Sequence, residues 1–303
     1  MRIAVGLDTD GSVDSTIERA RGLSERGFTS LWSSQIFGPD TLTVLALVGR
    51  EVTNVDLGTS VVPIQPRHPS MLAAQARTVQ DAIGGHLSLG VGLSHQVVVE
   101  GLWGISFDRP AKYMREYLDA LAPLLRGDAV NVHGERVTAV TTGALGPRGA
   151  AAPSLLVAAL GPRMLELAGT YCDGTVLWMT GRHTIESHIV PTIRAAAERA
   201  GRSTPRVVCS LPTTVTTDLS AARQRVNDEF ALYATLPSYA AMIEREGAAQ
   251  LADVAVLGTR DDVLAHLHAL DDAGVSEFSA AVTGTRDERE ATLDVLSEYA
   301  RGA

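Results

Sequence analysis

Cysteine is nearly missing from this chain: 303 residues contain only Cys172 and Cys209. The pair lacks C-x-x-C spacing and sits in apolar surroundings, so no disulfide framework is expected and both read as reduced packing residues. Long apolar runs are missing too, and none approaches the roughly 18 residues a membrane span needs. Met1–Leu7 is too short for a signal-peptide core and is followed by Asp8 and Asp10, so no export signal is read and a cytoplasmic location is expected. Positive charge is in deficit, 26 Lys and Arg against 35 Asp and Glu. The net charge of −9 argues against a broad nucleic-acid or anionic-membrane surface. The eight histidines are scattered: His183 and His188 are five apart, and His266 and His268 cannot share a helix face. No metal site is therefore expected.

The rest of the composition favours one large core, with 45% hydrophobic and 20% charged residues and no low-complexity block. Extended and helical periodicities alternate along it. Strands are expected at Arg2–Leu7, Phe28–Ser33, Val55–Val62, Leu87–Gly92, Leu155–Ala158, Thr175–Met179, Val207–Val215 and Phe278–Val282, each followed by helical sequence. Eight such units imply an α/β fold, a (β/α)8 TIM barrel forming a single domain over residues 1–303. Two segments interrupt the rhythm, about 130–153 and 236–253, and read as insertions at the strand ends, with disorder the competing reading for the Gly- and Ala-rich first one. Thr259 before Asp262 and Thr285 before Glu288 are capping boxes, and Gly274 is placed to stop the helix that carries Val263, Leu264, Leu267 and Leu270.

Three stretches carry chemistry. After the β-branched run Val55–Val62, the prolines Pro63, Pro66 and Pro69 stiffen a loop that presents Arg67 and His68, either into a site or as a well-packed surface turn. Gly90–Gly92 lets a flat ligand approach the backbone, and Leu93, Ser94 and His95 follow. That stretch fails as a dinucleotide fingerprint, which needs glycine at His95, and as a nucleophile elbow, which needs glycine at Gln96. Ala158, Ala159, Leu160, Gly161, Pro162 and Arg163 outline an anion site at a helix start, with an ordinary proline-initiated helix as the alternative. Glu100 and Asp108 lack paired-carboxylate spacing and read as solvated surface residues. Tyr113, Glu116 and Tyr117 read as covering the barrel from outside.

Taken together, Gly58–Pro63 with Arg67–Pro69, Gly90–His95, Arg109-Pro110 through Leu118, and Ala159–Pro162 with Ala168-Gly169 and Asp173-Gly174 resemble the bacterial luciferase-like superfamily over nearly the whole chain. The pattern is most similar to its branch of coenzyme F420-dependent oxidoreductases. The resemblance implies a barrel of the bacterial luciferase type. It implies a non-prolyl cis peptide at Ser60–Val61 backing the deazaflavin ring beside Pro63, ring contacts from Gly92 to His95, and phosphate contacts from Ala159 to Gly161. It also implies a small-molecule substrate, a homodimer and hydride transfer in either direction. The branch's dehydrogenases carry an acidic residue and then histidine at the end of the second strand, where this chain has Ser34-Gln35. Gln35 is neither acid nor base, so His95 is the proposed proton carrier, with Gln35 orienting substrate and His68 as the alternative. FMN with oxygen, as in the monooxygenases, is the alternative cofactor reading, and a flavin-binding protein without turnover is a further one.

Overall fold

The computed structural model describes residues 1–35 and 37–302. Eight parallel strands close on themselves: β1 (Arg2–Gly6), β2 (Ser30–Ser33), β3 (Asp56–Thr59), β4 (Leu87–Gly92), β5 (Ser154–Ala158), β6 (Gly174–Trp178), β7 (Arg206–Val215) and β8 (Glu277–Val282). Each pairs with the next in sequence, and β8 returns to β1 in the register Ile3↔Phe278. The helices packed around them are α1 (Val13–Glu25), α2 (Thr41–Glu51), α3 (Pro69–Ala82), α4 (Pro110–Arg126), α5 (Pro162–Tyr171), α6 (Val190–Arg199), α7 (Arg260–Asp272) and α8 (Arg286–Gly302). The closed barrel of eight parallel strands is the architecture the alternating periodicity predicts.

Strand alternation sorts the side chains into two cores. Outward residues such as Ile3, Leu31, Leu57, Leu89, Val157, Leu177, Cys209 and Phe278 join the helices in one large apolar cluster. Inward residues Ala4, Trp32, Leu156, Val176 and Val208 meet only one another and Val61, as expected inside a barrel. Below them the interior is polar. Glu277 accepts hydrogen bonds from Ser30 Oγ (2.6 Å), Trp32 Nε1 (2.9 Å) and Arg206 Nη2 (2.7 Å), and Arg206 also donates to Ser88 Oγ at 3.1 Å. Above the apolar layer, the next inward positions at the carboxyl ends are Gly6, Gly92, Ala158, Trp178, Ser210 and Ala281. All but Trp178 are small, which leaves a shallow floor at the barrel mouth.

The ends of the elements follow the sequence chemistry. Thr259 Oγ1 and the Asp262 carboxylate exchange bonds with each other's backbone N–H, as do Thr285 and Glu288. Gly274 ends α7 at φ +94°. The extended run Val55–Val62, by contrast, is not one strand. Regular pairing stops at Thr59, the chain bulges at Ser60–Val61, and Val62–Pro63 pairs with Val91–Gly92. There the Thr59 hydroxyl takes the place of the backbone ladder, with Oγ1 donating to Gly90 O at 2.7 Å and accepting from Gly90 N at 2.9 Å.

The segment 130–153 lies between α4 and β5. It forms an antiparallel hairpin, Asn131–His133 with Thr138–Val140, whose turn is held by Glu116 accepting from Arg136 N and Val137 N. Its return is clamped by buried Arg77, which donates to Leu125 O, Leu145 O and Pro147 O. The segment 236–253 follows the helix Leu219–Glu229, contains the helix Pro237–Glu246, and precedes the short strand Val256–Gly258.

Candidate active site

At the mouth, the end of β2 holds the bulge after β3. Ser34 Oγ donates to Ser60 O at 2.8 Å, Gln35 N to Val61 O at 3.2 Å, and Ser60 N to Ser33 O at 2.8 Å. The Ser60–Val61 peptide is cis. Across from it, a Cβ on Gly90 would lie 2.0 Å from Thr59 O, and one on Gly92 would lie 2.6 Å from Val61 Cγ2 and 3.3 Å from Ala158 Cβ. Only glycine lets β4 approach the bulge this closely. Val61, Gly92 and Ala158 thus form one continuous patch of small and branched groups at the ends of β3, β4 and β5. Its shape suits a flat ring.

Beside the patch, Leu93 and Ser94 run into His95. Ser94 N donates to Gln65 Oε1 at 3.3 Å, which fixes that loop. His95 is half-buried, and loss of solvent holds its pKa below the ordinary 6.5. After Ala158, the loop Ala159-Leu160-Gly161 opens α5 with Pro162 in the first turn and no side-chain cap, and nothing lies within 4 Å of where a Gly161 Cβ would stand. Free N–H groups at a helix head attract anions. Arg163 is exposed there and has no acidic partner among the described residues.

Two candidates do other work. The Gln35 amide accepts from Thr41 N at 2.7 Å and donates to Pro39 O at 3.2 Å, so it caps the approach to α2. His68 is the N-cap of α3: Nδ1 accepts from Ser70 N at 3.2 Å, which puts the proton on Nε2 for Thr138 O at 2.8 Å. Arg67 pairs with Asp40 at 3.0 Å. The proline-stiffened loop therefore fastens α2, α3 and the hairpin together, and of the two histidine candidates His95 is the one at the mouth.

Sequence reading missed several residues. Trp178 points inward from β6, and its Nε1 is buried without a hydrogen-bond acceptor among the described residues. Phe230 and Tyr233, just before the second inserted segment, pack against the indole, and Tyr233 and Tyr239, the latter within that segment, pack against His95. His188, buried in a π-helical turn (Ile185–Ile189), places Nε2 2.9 Å from Leu160 O, directly behind the anion loop. Glu246 accepts from His183 N at 3.0 Å and Thr184 N at 2.7 Å. The available signal was local: three aromatics in the ten residues 230–239 of a chain that is 5% aromatic.

Comparison with known proteins matches residues 1–298 to the profile of luciferase-like monooxygenases. A Mycobacterium tuberculosis relative, named provisionally as a coenzyme F420-dependent oxidoreductase, is 32% identical over 174 residues; the match covers 52% of this chain and 49% of that protein. The structure of the coenzyme F420-dependent tetrahydromethanopterin reductase from Methanopyrus kandleri superposes with a TM-score of 0.83 at 18% identity, covering 98% of this chain and 97% of that one. The FMN complex of a type II Baeyer-Villiger monooxygenase component from Pseudomonas putida gives 0.75 at 17% identity, with the same coverage.

Proposed function

The chain belongs to the luciferase-like monooxygenase family, and from that premise we propose that it is an F420-dependent oxidoreductase moving a hydride between the deazaflavin and a small organic substrate. One arrangement carries the reading: a small-residue cradle at the ends of β3 to β5 lies next to an uncapped helix head, matching a flat ring followed by a phosphate. The name of the mycobacterial relative supports F420 as the occupant.

When bound, the deazaflavin supplies a ring carbon able to donate or accept a hydride. The chain does the rest. The bulge at Ser60–Val61 with Pro63 would back one face of the ring, and Gly92, Leu93 and Ser94 would border it. Ala159, Leu160 and Gly161 offer backbone N–H groups to the phosphate, with Arg163 as countercharge. His95 carries the proton that accompanies the hydride, at an imidazole nitrogen facing the mouth. Rigid positioning by the barrel keeps the reacting groups aligned.

FMN offers the same flat ring and phosphate, and the Pseudomonas neighbour makes reduced-flavin oxygenation the second reading. Titration of purified apo-protein with F420 and with FMN, followed by fluorescence quenching, separates the two. Tight F420 and weak FMN binding is expected. A preference for FMN moves the protein to oxygen-dependent chemistry, and binding of neither removes the reading. A second copy of the chain is the proposed partner, through the exposed Leu47 of α2 and Met71 of α3. Light scattering at micromolar concentration is expected to give twice the 32.0 kDa chain mass.

A further inference from the structure

Trp178 is the only large inward-facing residue among those six positions of the uppermost barrel layer. It sits at the end of β6 just before Met179, whose φ of +49° is rare for a residue with a side chain. Its indole N–H, a donor that normally finds a partner when buried, has none among the described residues. From the stretch that leads into the second inserted segment, Phe230 and Tyr233 meet the indole with ring centroids 5.3 and 5.9 Å away. Tyr233 and Tyr239 meet each other at 5.0 Å and His95 at 6.1 and 5.9 Å. A row of rings therefore runs from the end of β4 to the end of β6, crossing above β5 and its anion loop.

Most of these rings stand edge-on to one another, with interplanar angles of 63 to 86°. They pack rim against face in a continuous row. The segment that carries them has its own footing: Met179, Val226, Val254 and Leu257 form a small apolar cluster under it. It is also latched, because the Glu246 carboxylate sits on two backbone N–H groups and fills the space a Cβ on Gly181 would need, 2.2 Å away.

We propose that Trp178, Tyr233, Tyr239, Phe230 and His95 form the substrate subsite, and that it takes a flat, uncharged ring bearing a carbonyl oxygen that accepts from Trp178 Nε1. The place of this subsite beside the cofactor rests on the oxidoreductase reading above. None of the five side chains offers a fixed charge. Burial favours the neutral forms, lowering the His95 pKa and raising those of Tyr233 and Tyr239. A carboxylate or phosphate entering here would lose its hydration without gaining a counter-ion, whereas a carbonyl supplies the one missing acceptor.

The test uses the full chain labelled with 15N-tryptophan, alone and after addition of F420. Its three tryptophans give three indole signals, and Trp178→Phe assigns the one of interest while keeping a ring in place. Cyclohex-2-en-1-one and cyclohex-1-ene-1-carboxylate, alike in shape and opposite in charge state, are the probes. The enone is expected to shift the Trp178 signal saturably and to bind at least about tenfold more tightly than the carboxylate, with Trp178→Phe costing about tenfold through the lost donor. Tyr239→Ala, which removes one of the rings, is expected to weaken the enone as well. An unmoved Trp178 signal, or equal binding of the carboxylate, overturns the subsite. Enone binding at Trp178 in a protein that takes up no deazaflavin would remove the F420 reading and leave the subsite. Deazaflavin binding with Trp178 silent toward the enone would do the reverse.

Discussion

His95 combines reach and chemistry in one side chain. Because burial lowers its pKa below 6.5, the neutral ring survives to lower pH than a free imidazole. As proton acceptor in substrate oxidation it must be neutral, so kcat/KM is expected to fall on acidification with a midpoint below 6.5. In the reductive direction the same group gives the opposite limb at the same midpoint. His95→Asn should abolish that limb and cost on the order of 100-fold or more in rate, as measured by pH–rate profiles of both proteins. Gly90 makes a different demand. A methyl group there would meet the Thr59 carbonyl oxygen at 2.0 Å, and backbone cannot step aside cheaply. Gly90→Ala is expected to lower stability by ~2 kcal/mol or more, seen as a reduced denaturant midpoint together with weaker cofactor binding. Both residues were legible in the sequence as the strand-end run Gly90–His95. Trp178 was not, because a tryptophan at a strand end reads the same whether it packs under a helix or points into an open mouth.

The helices and strands themselves were largely written in local chemistry. Thr259, Thr285 and Gly274 mark their ends by satisfying backbone groups with nearby atoms, so no distant contact is needed to find them. Contacts between elements escape that logic. His68 and Arg67 look like site residues on the page, yet they spend their nitrogens on Ser70, Thr138 and Asp40. His188 looks like an isolated histidine, yet its π-helical turn delivers it to Leu160 O. A residue that holds that carbonyl also sets the direction of the neighbouring N–H groups, which makes His188 a positioning residue for the anion loop. His188→Ala is expected to weaken FMN about tenfold while leaving riboflavin, which lacks the phosphate, nearly unchanged. His188→Gln, which keeps a side-chain N–H, should restore most of the loss. Parallel calorimetric titrations with the two flavins check it, and an equal loss for both would mean a purely structural role.

At the scale of the whole molecule, the barrel closes around a polar floor. Glu277 gathers Ser30, Trp32 and Arg206, drawing together β2, β7 and β8, while Arg206 reaches on to Ser88 of β4. Glu277 is buried, whereas the Arg206 side chain keeps about a third of its surface in water and is not left stranded when the carboxylate goes. Glu277→Gln is therefore expected to cost ~1 to 2 kcal/mol of stability through the weakened hydrogen bonds, measured by denaturant unfolding, with little change in cofactor affinity because the floor lies beneath the apolar layer. Among the described residues no helix is long and apolar enough to cross a membrane.

The sequence by itself determined the βα alternation, the barrel and the glycine-lined strand ends, because periodicity, capping and backbone freedom are local properties that each residue carries with it. The resemblance to the luciferase-like family rested on the same local runs. Only the tertiary structure decided which side chains share the mouth. Closing eight strands brings His95, Trp178 and Tyr239 together from positions far apart in the chain, and it sends His68 and Gln35 to helix caps. Proximity of that kind is set by strand parity and by the path of an inserted segment, and neither is encoded in any single stretch of residues.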